Sequence, residues 1–207
     1  MTKAEAIIDL LKKGKENGAF NGTVDIAYIV STLAHSNQSR DNGKNYSEHP
    51  KHCADMFYDL FAIGGWYHKN VLVDNDIPLG IVELAYLHDV VEDTELRHED
   101  VKEIFDELGE LDFFNKYIDK PLKLITHDKS EDYDTYLTRV MEHPCSAFVK
   151  MLDLADNLNL FGLGKIGDKE VERACRYIHY FKRINDKYHF LEKIKKCFED
   201  MKDEYDS

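Results

Sequence analysis

The 207-residue sequence has little of what marks a secreted, fibrous or membrane protein. It contains only four prolines, four cysteines and one tryptophan, and no apolar run approaches the length of a membrane span. The cysteines are widely spaced and form no CxxC pair, which argues against a zinc ribbon or a disulfide framework. We therefore expect reduced, partly buried thiols at Cys53, Cys145, Cys175 and Cys197.

Positive charge is also scarce. The chain has 27 lysines and arginines against 40 aspartates and glutamates, which gives a net charge of −13. The acidic residues are spread along the sequence, so no basic face is expected, and a nucleic-acid polymer is excluded as a partner. The net negative charge repels a small anionic substrate, so such a substrate can bind only where local cations or a metal ion outweigh the repulsion.

The N-terminal segment, residues 1–18, carries charges throughout its apolar stretch. A secretory signal needs an uninterrupted hydrophobic region, so we expect an amphipathic first helix here instead. The overall balance, 43% hydrophobic and 32% charged residues, is typical of a folded protein. We expect a cytoplasmic protein without a membrane partner.

Apolar residues recur at the spacing of a helix face, and the strand-like alternation of apolar and polar residues is nearly absent. This predicts an all-α helical bundle that forms one domain over residues 1–207. Two polar stretches, 36–48 and 126–132, are predicted as loops. The helices are predicted at about 2–17, 23–36, 49–63, 79–91, 98–108, 112–125, 131–142, 145–161, 168–188 and 189–203, with each proline near a helix start.

Four residues with metal-binding side chains stand out from this helical pattern. His88 and Asp89 end the apolar run LGIVELAYLHD, His49 opens a predicted helix before a proline, and Asp153 lies within the apolar run FVKMLDLADNL. A buried carboxylate is costly unless it is paired, and a metal ion would pair it. Two imidazoles and two carboxylates suit manganese, iron, zinc or another first-row divalent ion.

Further polar residues lie close to these four in sequence. Glu92 is four residues after His88, on the same helix face, and is a candidate to orient or deprotonate an attacking water, with Asp93 assisting. Asn157 is four residues after Asp153 and would project beside it. Cations that would bind phosphate oxygens are Arg40, Lys44, His127, Lys129 and Lys150.

Three motifs that hold these residues resemble the Rel/SpoT-type alarmone hydrolases. AHSNQSRDNGKNYSEHP is similar to their first motif, LAYLHDVVEDT to their LLHDVVEDT segment, and VKMLDLADNL to their VKLADxxxNL segment. The resemblance covers about residues 24–160, with the C-terminal helices at 168–203 outside it. The chain departs from the pattern at Lys44 and Asn45, where the family has glycine and proline before the tyrosine, and at VKMLD, where the family has VKLAD.

The resemblance implies an HD-type helical fold that uses manganese to remove the 3′-pyrophosphate of guanosine tetraphosphate or pentaphosphate. By that resemblance the metal ligands are His49, His88, Asp89 and Asp153, and Glu92 and Asp93 form the catalytic pair. Arg40 matches an arginine that lies near the nucleotide base. The length leaves no room for synthetase or regulatory domains, so we expect a small stand-alone hydrolase, which can form a homo-oligomer.

Simpler interpretations stay open at this point. Asp153 can pair with Lys150, and a shifted register makes Asp156 the ligand instead. Glu92 and Asp93 can be a solvated acidic turn, and His35 is better explained as a structural residue bonded to the following loop. Two other functions remain alternatives: an HD-type phosphatase of a nucleoside 5′-monophosphate or dinucleotide phosphate, and a nucleotide-binding HD module without hydrolysis.

Overall fold

The computed structural model describes residues 1–20, 22–40, 43–62, 79–159 and 166–205. Within these ranges the chain is helical and has no strand ladder, and one isolated antiparallel bridge joins Ser39 to Asn45. The prediction of an all-α protein is therefore confirmed. No helix in the same ranges has both the length and the apolarity needed to cross a membrane.

Most of the helices lie close to their predicted ranges. In chain order they are α1 (Lys3–Glu16), α2 (Thr23–Ala34), α3 (Glu48–Ala62), α4 (Ile81–Leu87), α5 (Val90–Asp93), α6 (His98–Glu107), α7 (Leu111–Phe113), a π turn (Phe114–Ile118), α8 (Asp119–Ile125), α9 (Tyr133–Val140), α10 (Pro144–Asn157), α11 (Asp168–Tyr188) and α12 (Phe190–Tyr205).

Helix α10 forms the centre of the core, packed against α3, α4, α8 and α11. Its apolar side chains Phe148, Leu152 and Leu154 are all at least 96% buried. Burial of each such side chain contributes about 1.5–3 kcal/mol to the hydrophobic driving force. The same buried helix carries the charged residues Lys150 and Asp153, so two ionic groups are held inside an apolar framework.

The predicted helix over 79–91 is wrong as one continuous element. Helix α4 ends at Leu87, a turn holds His88 and Asp89, and the short helix α5 follows. At the start of α4, Gly80 has φ +95°, and a β-carbon there would lie 2.8 Å from Cβ of Tyr117. Glycine is therefore required both by the left-handed backbone and by the close approach of the π turn.

The predicted helix over 112–125 contains an irregularity that the periodicity did not reveal. The run is continuous, but its middle is the π turn, and Pro121 lies inside α8 instead of at a helix start. Proline has no N–H to donate to the carbonyl of Tyr117 and its ring clashes with that carbonyl, which favours a wider turn just before it. Pro144, in contrast, stands at the first position of α10 as expected.

The predicted helix over 145–161 is too long at its C-terminal end. Helix α10 ends at Asn157, and residues 160–161 of the prediction lie outside the described residues, as does residue 63 of the predicted third helix. The interpretation of His35 is confirmed, since its Nδ1 lies 2.7 Å from Oε1 of Gln38 in the following loop. Of the cysteines whose side chains are described, Cys53 and Cys145 are fully buried whereas Cys175 is exposed, and no disulfide joins them.

Candidate metal centre

The four predicted metal ligands lie together at the junction of α3, α4, α5 and α10. Nε2 of His49 is 3.0 Å from Oδ1 of Asp153 and 3.4 Å from Oδ2 of Asp89. Nε2 of His88 is 3.3 Å from Oδ1 of Asp89 and 3.9 Å from Oδ1 of Asp153. The turn between α4 and α5 thus faces the first turn of α3 across the middle of α10.

The imidazole of His88 has a fixed tautomer and an unused nitrogen. Its Nδ1–H donates to the carbonyl of Ala85 at 2.7 Å, so in the neutral ring Nε2 is the nitrogen with the lone pair. That Nε2 is buried and has no hydrogen-bond partner among the described residues. A lone pair that faces the carboxylates of Asp89 and Asp153 is repelled by them, and a cation between these groups would satisfy all three.

His49 contacts a carboxylate through each of its two ring nitrogens. Nδ1 lies 2.6 Å from Oδ2 of Asp156, and Nε2 faces Asp153. Burial by itself lowers the pKa of His49, but the hydrogen bonds with these two carboxylates outweigh it and raise the pKa to about 10. The metal-free imidazole is therefore doubly protonated, and its Nε2 proton stands in for the positive charge of a bound ion.

Arg40 contacts two residues that support the predicted ligands His49 and Asp153. Its guanidinium donates to Oδ2 of Asp156 at 2.9 Å and to Oδ1 of Asn157 at 2.8 Å. Asn157 in turn donates to Oδ1 of Asp153 at 2.6 Å. Burial would raise the pKa of Asp156, but His49 and Arg40 lower it to about 2, so this carboxylate stays ionised. Asp156 thus supports His49 from behind while Asp153 faces the centre.

Lys150 is buried against Asp153, which is the ion pair that the simpler interpretation of that aspartate predicted. Its ammonium lies 2.7 Å from Oδ2 of Asp153, and its side chain is only 12% exposed. The ammonium also lies 5.2 Å from the ring centre of Tyr136 and 5.8 Å from that of Tyr133. Burial opposes ionisation of Asp153, but Lys150 and His49 hold its pKa well below the ordinary value.

Glu92 is half-buried beside the predicted ligands. Its Oε2 accepts a hydrogen bond from the backbone N–H of His127 at 3.0 Å. Burial raises the pKa of Glu92 above its ordinary value, although the hydrogen bond from His127 opposes the shift. The imidazole of His127 contacts the carbonyl of Glu131 and lines a cavity of 590 Å³, whose walls also include Lys123 and Arg139.

Asp93 is connected to the predicted ligand Asp89 through the hydroxyl of Tyr46. The hydroxyl oxygen of Tyr46 lies 2.7 Å from Oδ2 of Asp93 and 3.0 Å from Oδ2 of Asp89. Burial and the two carboxylates hold the pKa of Tyr46 far above its ordinary value, so the hydroxyl keeps its proton. The Tyr46 ring stacks on His35 at 4.6 Å, which fixes its orientation.

Two of the predicted cations lie on the surface. Lys129 approaches Asp93 at 3.7 Å between Nζ and Oδ1, with 76% of its side chain exposed. Lys44 pairs with Glu48 at 3.4 Å and is 58% exposed. Exposed pairs of this kind contribute little to stability, so both side chains can move to other partners at small cost.

Sequence reasoning gave no role to two residues of the site and considered a third only as an alternative. Tyr46 lies in the motif NYSEHP, where only the histidine drew attention, and Asp156 was considered only as an alternative ligand. Cys53 is the third: a nitrogen of His49, a nitrogen of His88 and its Sγ all lie within 4.8 Å of one another. The spacing of four residues between His49 and Cys53 on a helix was the available signal.

Cys53 is protonated in the metal-free protein. Burial raises the pKa of its thiol well above the ordinary value, and the charges of Asp153 and Asp156 add to the shift.

Compared with models of known protein families, the chain matches none. The group of His49, Cys53 and His88 could hold a metal ion, and a divalent ion also fits the unused Nε2 of His88 and the carboxylates that face it.

Proposed function

We propose that this chain is a metal-dependent phosphohydrolase of the HD type that acts on a nucleotide, with guanosine tetraphosphate as its substrate. One observation carries the proposal: the buried Nε2 of His88 lacks a hydrogen-bond partner among the described residues and lies 3.3 Å from Oδ1 of Asp89 and 3.9 Å from Oδ1 of Asp153. Such a group destabilises an apolar core, because an unsatisfied buried polar atom costs about 1–3 kcal/mol.

In this proposal the centre binds manganese through His49, His88, Asp89 and Asp153. A divalent ion held there lowers the pKa of water and polarises a phosphoryl oxygen. Asp156 keeps the proton of His49 on Nδ1, so that Nε2 presents its lone pair to the centre. Asn157 limits the rotation of Asp153 through the bond at 2.6 Å.

Glu92 and Asp93 act on the attacking water. The half-buried Glu92 has a raised pKa, which brings a carboxylate closer to the range in which it accepts a proton near neutral pH. Asp93 is oriented by Tyr46, which also contacts Asp89, so the group that positions water is coupled to a ligand. Water attacks the phosphorus attached to the 3′ oxygen and the bond between these two atoms breaks. The 3′ oxygen takes up a proton, and the products are GDP and pyrophosphate.

An HD-type nucleotide phosphatase with another substrate is the second candidate, because the contacts of Arg40 do not support the base-binding role that the resemblance gives it. The resemblance assigns Arg40 to the nucleotide base, but here both ends of the guanidinium bind Asp156 and Asn157. Those contacts support the ligands and carry no information on the substrate.

A cytoplasmic location and manganese as the native ion are further parts of the proposal.

The test is hydrolysis of guanosine tetraphosphate by metal-free protein resupplied with Mn²⁺, followed by chromatography that separates pyrophosphate from orthophosphate. GDP and pyrophosphate in equal amounts are expected. Release of orthophosphate from nucleoside 5′-monophosphates or dinucleotide phosphates, with guanosine tetraphosphate untouched, would instead support the second candidate. Tight binding of guanosine tetraphosphate by the loaded protein without turnover would favour a binding module.

A further inference from the structure

Cys53 occupies a position in the metal centre that the proposed function does not use. It follows His49 by one helical turn on α3 and has no exposed surface. Its Sγ, a nitrogen of His49 and a nitrogen of His88 lie within 4.8 Å of one another. Ligands of one zinc ion at ordinary Zn–N and Zn–S lengths are at most about 4.4 Å apart, so small side-chain rotations bring the three into reach.

A second observation points to a ligand at the same place. Nε2 of His88 lacks a hydrogen-bond partner in the described part of the chain, and the side chain of His88 is 1% exposed. Because Nδ1 is committed to the carbonyl of Ala85, the nitrogen that faces the cluster is the one with the lone pair. Cys53 is therefore adjacent to a preformed nitrogen donor and to a second imidazole on its own helix.

The two histidines are thus shared by two donor sets of different chemical character. With Asp89 and Asp153 they form an oxygen-rich set, which suits manganese. With Cys53 they form a set that contains sulfur, which suits zinc and other thiophilic ions. A helix core position needs no sulfur for packing, since alanine or valine fills a similar volume.

We propose that Cys53 is a ligand for a thiophilic divalent ion of the zinc class, bound together with His49 and His88. Binding forms bonds from the ion to Sγ of Cys53, to Nε2 of His88 and to Nε2 of His49, and the thiol proton and the Nε2 proton of His49 leave to solvent. The site then selects between ions by softness: zinc binds through sulfur, whereas manganese binds through the carboxylates and leaves the thiol protonated. The inference uses the histidines of the proposed centre but requires no hydrolytic activity.

Cobalt is the spectroscopic probe for this assignment, because a thiolate bound to Co²⁺ gives a near-ultraviolet charge-transfer absorption. The full chain, stripped of metal, is titrated with Co²⁺ alone. The wild type is expected to develop this absorption, and Cys53→Ser and Cys53→Val are expected to lose it. Cys145→Ser, which alters another fully buried cysteine, is the matched control and is expected to keep it. Circular dichroism shows whether each variant is folded.

Competition with a chelating indicator provides the second measurement. Zinc affinity is expected to fall by about tenfold or more in both Cys53 variants, the scale on which single changes around a metal site act. Manganese affinity is expected to stay unchanged. Valine fills the space of the cysteine without a polar atom. A loss of zinc affinity that both the serine and the valine variant show therefore cannot be caused by a cavity.

The outcomes separate this inference from the proposed function. If cobalt binds to the wild type without thiolate absorption, or if Cys53→Val keeps the absorption, the assignment of Cys53 is overturned while the centre of histidines and carboxylates stands. If neither cobalt nor manganese binds, both proposals fail. Thiolate absorption in a protein that hydrolyses no nucleotide would support the role of Cys53 and count against the phosphohydrolase.

Discussion

Asp156 accepts a hydrogen bond from Nδ1 of His49 at 2.6 Å, on the side of the imidazole that faces away from the centre. The contact fixes which nitrogen of His49 is available to an ion. We predict that Asp156→Asn weakens manganese binding by about 10–100-fold, because an amide leaves the tautomer and the ring orientation unspecified.

The measurement for this change is titration calorimetry with Mn²⁺ on metal-free protein. Asp186→Asn removes an exposed carboxylate that pairs with Lys182 and serves as the control with unchanged affinity. Equal manganese affinity in wild type and Asp156→Asn would mean that Asp156 does not support the ligand.

Asp153→Ala is predicted to lose bound metal and hydrolytic activity together. The change also leaves the buried ammonium of Lys150 without its partner, so the free energy of unfolding should fall by about 3–5 kcal/mol. Metal content is measured on the purified, folded variant by atomic emission. The double variant Asp153→Ala, Lys150→Met removes the unpaired charge, and metal retained at wild-type stoichiometry in either protein contradicts the ligand assignment.

Glu92→Gln tests the rate of hydrolysis separately from metal binding. The amide keeps the size of the side chain and can still accept the hydrogen bond from the N–H of His127, so metal content and melting temperature should stay near wild type. The rate of hydrolysis is expected to fall by about 10²–10⁴-fold, because a general base is lost. Steady-state kinetics on the loaded variant check this, and undiminished kcat would remove Glu92 from the mechanism.

Glu83 makes the stability of the fold depend on pH. It is 5% exposed, it accepts a hydrogen bond from the hydroxyl of Thr23 at 2.5 Å, and burial raises its pKa above the ordinary value of 4.5. A raised pKa in the folded state means that its contribution to stability is complete below pH 4.5 and is lost as pH rises through the folded pKa.

Glu83→Gln is therefore predicted to gain stability relative to the wild type as pH rises from 4 to 7. Glutamine keeps an oxygen for Thr23 but has no charge to bury. Urea unfolding at several pH values measures the difference, and the exposed Glu172→Gln is the control with a flat profile. A gap between the two proteins that does not widen with pH would contradict this account.

The helical class could be predicted from sequence because it depends on local patterns, and the four proposed ligands lie close together in the structure. Spacing of apolar residues set most of the helices, and carboxylates in apolar runs drew attention to Asp153. The break at His88 and Asp89 could not be predicted, because residues up to Asp93 continue the same periodicity, and the π turn depends on how Pro121 meets Tyr117.

Side-chain partners were the least predictable part of the site. Arg40 and Lys150 were assigned to substrate because cations near a metal centre suit phosphate. In the folded chain Arg40 binds Asp156 and Asn157, and Lys150 is buried against Asp153. Sequence gives the charge of a residue but not which of several nearby acceptors it reaches, since that depends on packing between α10 and the loop before α3.

The buried ammonium of Lys150 has a consequence for how anions approach the protein. It neutralises one of the two proposed ligand carboxylates, so a divalent ion, Lys150, Asp89 and Asp153 would together carry a net positive charge in a chain of net charge −13. The net negative charge of the chain then repels an anion at long range, and the positive charge at the centre attracts it only within the last few ångströms. Dissolved salt screens the distant repulsion more than the close attraction, so moderate ionic strength should speed the encounter of an anion with the loaded centre.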